Sequence, residues 1–335
     1  MMARLTFLFL ISLQIATNAQ ENKPVWIDHP EKNYPSSDYL VAVGTGDSRK
    51  EAENVALANL SKIFESNIKL DETINSRYSE LIKSESQSSL ENKTDVNKQI
   101  SVSSNQILYN VRYPEAFTDN LGKVYVLAVL EREPTAEIYM KSITDNERRI
   151  YRLINSGNDN SDPLKKYAYY EAANVVSQVN NRLINQMRII NPGYQYADTL
   201  NNPDKINELC KSAQERIPFV ISVRGNDSDK VIPVIAGAVN QLGFPVAQKG
   251  ALKIQCSERV EEIDLNRPEK FVRWSYEFSI LDSTGEVIIS ALENGREGHV
   301  TYGEAVARGQ RTMNERITAK LKREIMAYFD KLVRE

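Results

Sequence analysis

Tyr39 to Val43 is a short apolar run that ends in Gly44-Thr-Gly46, and Ser48 follows with Glu51 three residues on. That spacing is a capping box, in which each side chain satisfies a free amide at the start of a helix. Val55, Leu57, Leu60, Ile63, Phe64 and Ile68 then recur at helical spacing and predict one buried stripe, with the helix continuing toward Ile82. Ala52 and Ala56 give it a small-residue face that a sheet can approach closely. Ser84 to Lys98 is rich in Ser, Glu, Asn, Gln and Lys and reads as a mobile loop or a frayed helix end. Ile100 to Tyr113 alternates at Val102, Ile107, Tyr109 and Val111, and Asn120-Leu-Gly122 marks a turn. Lys123 to Leu130 is the strongest strand pattern in the chain. These two strands are predicted to pair as an antiparallel hairpin. Pro134 opens the next helix in its first turn, where a missing N–H costs nothing.

Helical patterns then cover Glu137–Leu153 and Pro163–Ile190, separated by the polar stretch Asn155–Ser161. Tyr167, Tyr169 and Tyr170 cluster on the second, either as a partner face or as packing between elements. Asn201-Asn-Pro203 starts a short helix through Gln214. A second strand-bearing stretch follows: Pro218–Val223 as a strand, Ser228–Leu242 as a helix with Gly243 at its C-cap, and short strands at Phe244–Val246 and Leu252–Cys256. Lys270–Leu281 alternates strictly, Asp282-Ser-Thr-Gly285 turns, and Glu286–Leu292 returns. Thr301–Leu332 is a long helix whose opening, Thr301-Tyr-Gly-Glu304-Ala305, repeats the skeleton of Ser48-Arg-Lys-Glu51-Ala52.

The N-terminus changes the picture of where the chain resides. Arg4, the apolar run Leu5–Ile15 and Ala16-Thr-Asn-Ala19 have the form of an export signal cut before Gln20. The run is shorter than the roughly 20 apolar residues of a membrane anchor. No cysteine stands near the cut, so no N-terminal lipid is expected. Removing the signal takes Arg4 and no acid, leaving 42 − 1 = 41 basic against 45 acidic residues, a charge of −4. That balance gives no footprint for nucleic acid and no polybasic membrane patch. The two cysteines, Cys210 and Cys256, permit a disulfide in an exported chain or stand as two buried thiols.

Candidate chemistry is sparse. Gly44-x-Gly46 between a strand and a helix has the outline of a dinucleotide fingerprint, but Arg49 fills the third glycine position, and Glu65 lies within the predicted helix rather than at the end of a second strand. The glycines and the cap are therefore read as structural: Gly44, Gly46, Ser48 and Glu51. Ser66-x-x-Lys69 lacks the companion motifs of penicillin-interacting enzymes. His29 and His299 have no metal-binding spacing with cysteines or acids. No catalytic residue, cofactor or metal is expected, and the enzyme alternative is a hydrolase of unrecognised type.

Pro24-Val-Trp26-Ile, the run Tyr39–Gly46, Ser48-x-x-Glu51-Ala52-x-x-x-Ala56-x-x-x-Leu60 and the strand Gly122-Lys-Val-Tyr125-Val-Leu-Ala-Val-Leu130-Glu-Arg together resemble the LPP-twenty lipoprotein family over Pro24–Arg132. The resemblance implies a small α+β domain used for binding and assembly, with no catalytic residues to carry over. The missing lipobox cysteine departs from the family pattern. The expectation is an α+β protein: a signal peptide (1–19), a family-like domain (20–135), a helical connector (136–215) and a second α+β domain (216–335). Each domain packs helices on a small, mainly antiparallel sheet. The expected function is that of a non-enzymatic periplasmic structural or assembly factor, peripheral to the outer membrane and acting on other envelope proteins. A periplasmic binding module for a small or glycan ligand is the alternative.

Overall fold

The computed structural model describes residues 23–64, 72–88, 100–103, 106–196 and 202–334. The expected export signal and Ser66-x-x-Lys69 lie outside the described residues. The fold is α+β. Among the described residues, those up to Phe64 and those from 100 to 132 form one compact unit, and the remainder form a second.

The first unit is built around a three-stranded antiparallel sheet. Strands β1 (Tyr39–Gly46), β4 (Arg112–Thr118) and β5 (Val124–Glu131) lie in the order β1-β5-β4. Helix α1 (Arg49–Lys62) follows β1, and β2 (Ile100–Ser103) pairs with β3 (Gln106–Tyr109) as a separate hairpin. The central strand β5 is buried on both faces, which explains its nearly unbroken apolar run. Leu127 and Val129 form a cluster with Trp26 and Ile27, so the Pro-Val-Trp-Ile segment covers one face of the sheet. Gly44 lies opposite Val126 in the pairing and faces α1 on the other side. In edge strand β4 the register shifts between Arg112 and Glu115, where Pro114 has no amide to give the ladder.

The second unit has a four-stranded sheet, β6 (Phe219–Arg224), β7 (Leu252–Ile263), β8 (Lys270–Leu281) and β9 (Val287–His299), in that order. β6 and β7 run parallel, joined through α6 (Ser228–Gln241); β7, β8 and β9 form an antiparallel meander. Helix α7 (Tyr302–Leu332) lies on the sheet with Ala305, Gly309, Met313, Ile317, Leu321, Ile325 and Phe329 buried, every fourth residue along its length. Helix α4 (Pro163–Ile190) is buried nearly all round among α2 (Glu72–Ser88), α5 (Pro203–Gln214) and α7. Tyr167 of α4 packs edge-on against Phe244 and Phe329, with ring centroids 5.0 and 4.6 Å apart. Helix α3 (Arg132–Asp159) adds Ile150 and Leu153 to the same core.

Several expectations change: Phe244–Val246 makes only a single bridge at Val246, and α3 runs through the polar stretch as far as Asp159. The helix after Ser48 does not run on to Ile82: α1 closes at Lys62, and α2 belongs to the other unit. The partner of β5 is Arg112–Thr118, because Ile100–Tyr109 folds on itself. The stretch read as a connector, 136–215, is no connector, since α4 and α5 share one hydrophobic core with the sheet. Strands β7 and β9 reach Ile263 and His299, well beyond the apolar runs that suggested them.

Candidate functional site

Strand alternation in the second unit divides its side chains between two faces. Leu252, Ile254 and Cys256 of β7 and Val272, Trp274, Tyr276, Phe278 and Ile280 of β8 are buried under the helices. The opposite face carries none of the described helices. The pairing places its residues in rows across the strands. One row reads Ser222, Gln255, Ser279, Ser290; the next reads Arg224, Ser257, Glu277, Leu292. Arg259, Ser275 and Asn294 form a third row, and Glu261, Arg273 and Arg296 a fourth. Lys253 stands beside the first row, between Val220 and Leu281.

Short side chains in the middle and long ones around them leave a shallow groove of about 230 Å³, lined by Ser222, Arg224, Lys253, Gln255, Ser257, Glu277 and Ser279. Five cations face this side, Arg224, Lys253, Arg259, Arg273 and Arg296, against two acids, Glu261 and Glu277. Arg259 pairs with Glu261 at 2.9 Å, and Arg296 lies over the ring of Phe271 at 5.5 Å. The excess is positive on a chain whose formal charge is −3. The arrangement offers hydroxyl and amide groups that both donate and accept hydrogen bonds, rimmed by positive charge.

Two glycines make room for large side chains in this unit. A Cβ on Gly295 would lie 2.2 Å from the Trp274 ring. Gly225, at φ +146°, leaves room for the Glu258 carboxylate, whose Oε1 accepts from the Asp227 amide at 2.6 Å. That buried carboxylate thus sits at the N-terminus of α6, where the helix dipole favours an anion.

The residues singled out in the sequence fall elsewhere. Ser48 Oγ accepts from the Glu51 amide at 3.2 Å, while Glu51 Oε2 accepts from the amide of Asp47 at 2.8 Å rather than that of Ser48. The reciprocal arm of the capping box is therefore shifted one residue. Gly44 and Gly46 lie against α1, whose atoms occupy the space a Cβ on either would need. Tyr167 and Tyr170 are buried in the core and form no exposed partner face; Tyr169 is half-buried. Tyr169 lines a cavity of about 420 Å³ together with Leu81, Arg149, Arg152, Leu153 and Val333. His29 lies 3.2 Å from Glu31 at the surface, and His299 ends β9. Among the described residues no group of His, Cys, Asp and Glu is arranged to hold a metal ion. No helix of the described residues is long and apolar enough to cross a membrane. The full extent of the open face is hidden in the sequence because the polar half of the alternation extends past the apolar runs, into Arg259–Ile263 and Glu293–His299.

Cys210 and Cys256 are unbridged and buried, one on α5 and the other on β7. The permitted disulfide is absent; each thiol packs as a small apolar group in the core. Burial pushes the Cys256 thiol up to about 12, and burial with nearby Glu171 pushes Cys210 up as well. Both folded values exceed the unfolded value, so their contribution to stability is present below about pH 9 and is lost as pH rises toward 12. Ellman's reagent at pH 8 should find no fast-reacting thiol in the native chain and two in denaturant without reductant. One equivalent or none in denaturant would contradict the free thiols.

Residues 24–131 match the family model described as LPP20 lipoprotein, so the resemblance carried by the tryptophan segment, the glycine turn, the capped helix and the hairpin is shown over this span. The second unit's sheet lies beyond the match. The family matched over residues 24–131 suggests a protein of the bacterial envelope. No curated protein matches the chain in sequence. Among solved structures, the secreted protein HP1454 from Helicobacter pylori is similar at 14% identity and a TM-score of 0.40, covering 84% of this chain and 97% of that one. A minor lipoprotein from Acinetobacter baumannii is similar at 13% identity and a TM-score of 0.28, over 33% of this chain and 94% of that one. A putative lipoprotein from Caulobacter crescentus is similar at 18% identity and a TM-score of 0.24, over 37% and 93% of the two chains.

Proposed function

We propose that the chain is a non-enzymatic structural or assembly factor of the periplasm that acts by protein–protein contact through the open face of its C-terminal sheet. The observation that carries this reading is the face itself: four strands wide, up to 13 residues long at β9, mainly polar, and free of the described helices of its own unit. The envelope setting is supported by the lipoprotein family of residues 24–131 and by the export signal read at Met1–Ala19. A chain cut before Gln20, with no lipid, would act peripherally at the outer membrane.

The test isolates the full-length tagged chain from intact envelopes after crosslinking and identifies its companions by mass spectrometry. Ser257→Tyr with Ser279→Tyr blocks the groove with bulk on an exposed surface, where substitutions cost little stability. The wild-type chain should bring down a defined set of envelope proteins that this variant loses while keeping its circular dichroism spectrum. An unchanged set would reject the face as the contact.

A second reading, a binding module for a small or glycan ligand, rests on the cavity of about 420 Å³. Leu81, Leu153 and Val333 give it apolar wall, and Arg149, Arg152, Ser156 and Asp159 give it polar groups. That mix is typical of ligand sites.

A further inference from the structure

We infer that the open face of the C-terminal sheet takes an acidic, extended segment of a partner protein; this rests on the contact reading above and names the chemistry of the contact. Four of the five cations, Arg224, Arg259, Arg273 and Arg296, step across the face from β6 to β9, and Lys253 stands apart toward its other end. Arg224 is on the edge strand β6, Lys253 and Arg259 are on β7, Arg273 is on β8 and Arg296 on β9. Lys253 and Arg259 stand six positions apart on one strand, roughly 20 Å at 3.3 Å per residue. An extended segment of about six to eight residues covers that length. Beneath it lie Ser222, Gln255, Ser257, Ser275 and Ser279, short groups whose hydroxyls and amide can both donate to and accept from a peptide backbone.

The sign of the partner follows from the charge count. Five cations against two acids on one face, in a chain with 42 basic and 45 acidic residues overall, favour a negative partner at long range. The two acids also discriminate among negative partners. Glu277 lies between Ser257 and Leu292, in the middle of the face, and Glu261 lies opposite Arg273. A uniformly charged polysaccharide would meet both as repulsion. A protein segment can place a neutral or basic residue at those points, and interleaved charge of this kind gives specificity. The contact is solvent-exposed, so it should be strongly salt-dependent.

The experiment uses the full chain and a fluorescein-labelled ten-residue peptide of alternating Glu and Ser, with its Gln and Ser counterpart as the neutral probe, read by fluorescence anisotropy. The acidic peptide should bind and the neutral one should bind at least about tenfold more weakly. Raising salt from about 50 to 300 mM should weaken the acidic peptide about tenfold. Arg224→Gln with Lys253→Gln and Arg273→Gln should abolish the preference, whereas Lys205→Gln with Lys211→Gln on α5 should leave it intact. Equal binding of the two peptides, or no binding of the acidic one, overturns the inference. A sulfated oligosaccharide that binds more tightly than the acidic peptide also overturns it, in favour of an anionic glycan. The contact reading fails separately. If envelope capture is lost with Ser257→Tyr and Ser279→Tyr but kept with the three Gln substitutions, the face is a contact and the acidic partner is wrong. If capture survives both sets, the face is not the contact at all.

Discussion

Gly44→Val should unfold the first unit or cost it more than about 3 kcal/mol, beyond ordinary overpacking. A Cβ built on Gly44 would lie 2.1 Å from the Ala56 nitrogen, 2.3 Å from the Ala52 carbonyl oxygen and 2.6 Å from the Ala56 Cα. All three are backbone atoms of α1 and cannot rotate aside. Gly44 does not have a positive φ, so the requirement is the close approach of helix to strand and not a left-handed conformation. The two alanines complete the fit: Ala52 and Ala56 are both fully buried and present no side chain long enough to hold the helix off. Asn59 Nδ2, which donates to the Val43 carbonyl at 2.9 Å, ties the same helix to the same strand. The chain has two tryptophans, one in each unit, so Trp274→Phe leaves Trp26 as a reporter of the first unit alone. Urea unfolding of Gly44→Val in that background should lose the cooperative Trp26 transition. A midpoint within the error of the parent would refute the close-packing account.

That Gly44 and Ala52 matter is legible in the sequence, because a strand, two glycines and alanines one turn apart leave few other arrangements. The reason is not legible: only the backbone geometry separates a strained φ from a crowded helix. The same limit recurs along the chain. Strand β5 and helix α7 are plain in the pattern, since one is buried on both faces and the other repeats its buried stripe through seven positions. Strand β4 is not, because Pro114 and an alternation of exposed and half-buried residues at a sheet edge leave little apolar signal. The separate placing of α2 is the largest gap. Its apolar positions continue the stripe of α1 in sequence, and periodicity does not report which unit a helix packs in. The central place of α4 is hidden in the sequence for a related reason. Burial all round, with Ser177, Asn180, Arg182 and Gln186 in the interior, weakens the two-sided contrast by which a core helix is usually seen.

The candidate face was half legible. The alternation of Lys270–Leu281 gives its inner and outer residues directly. The pairing that brings Arg224, Lys253, Arg259 and Arg296 alongside them is a property of register, and register depends on contacts between segments up to some seventy positions apart. A fragment beginning at Pro203 would keep these strands but lose Tyr167 from its contacts with Phe244 and Phe329. The sheet therefore depends on α4 for its core.

Arg77→Met should destabilise the second unit by about 3–5 kcal/mol, the usual cost of removing one partner from a buried ion pair. Arg77 on α2 donates from Nη1 to Glu171 Oε1 at 2.8 Å and, through Nε and Nη2, to Asp330 at 2.9 and 2.8 Å. The three side chains are only 10 to 12% exposed. The guanidinium is held well above its ordinary value: burial opposes the charge, and the bonds to Asp330 and Glu171 more than offset that opposition. Removing it strands two carboxylates on α4 and α7 with no cation between them. Two other ties of α2 are individually weaker, an exposed pair from Glu80 to Arg334 at 2.9 Å and a bond from the Tyr78 hydroxyl to Asn146 at 2.9 Å. Two readouts check this. Urea unfolding followed by Trp274 in a Trp26→Phe background should show the loss. Hydrogen exchange should show the amides of 72–84 losing protection ahead of those of α7, because α2 detaches first. Adding Glu171→Gln and Asp330→Asn to Arg77→Met should restore most of the stability, since neutral groups carry little of the stranded-charge penalty. A loss under about 1 kcal/mol in the single variant, or none recovered in the triple variant, would mean that the apolar contacts of Ile74, Tyr78 and Leu81 hold α2 in place and the ion triad does not.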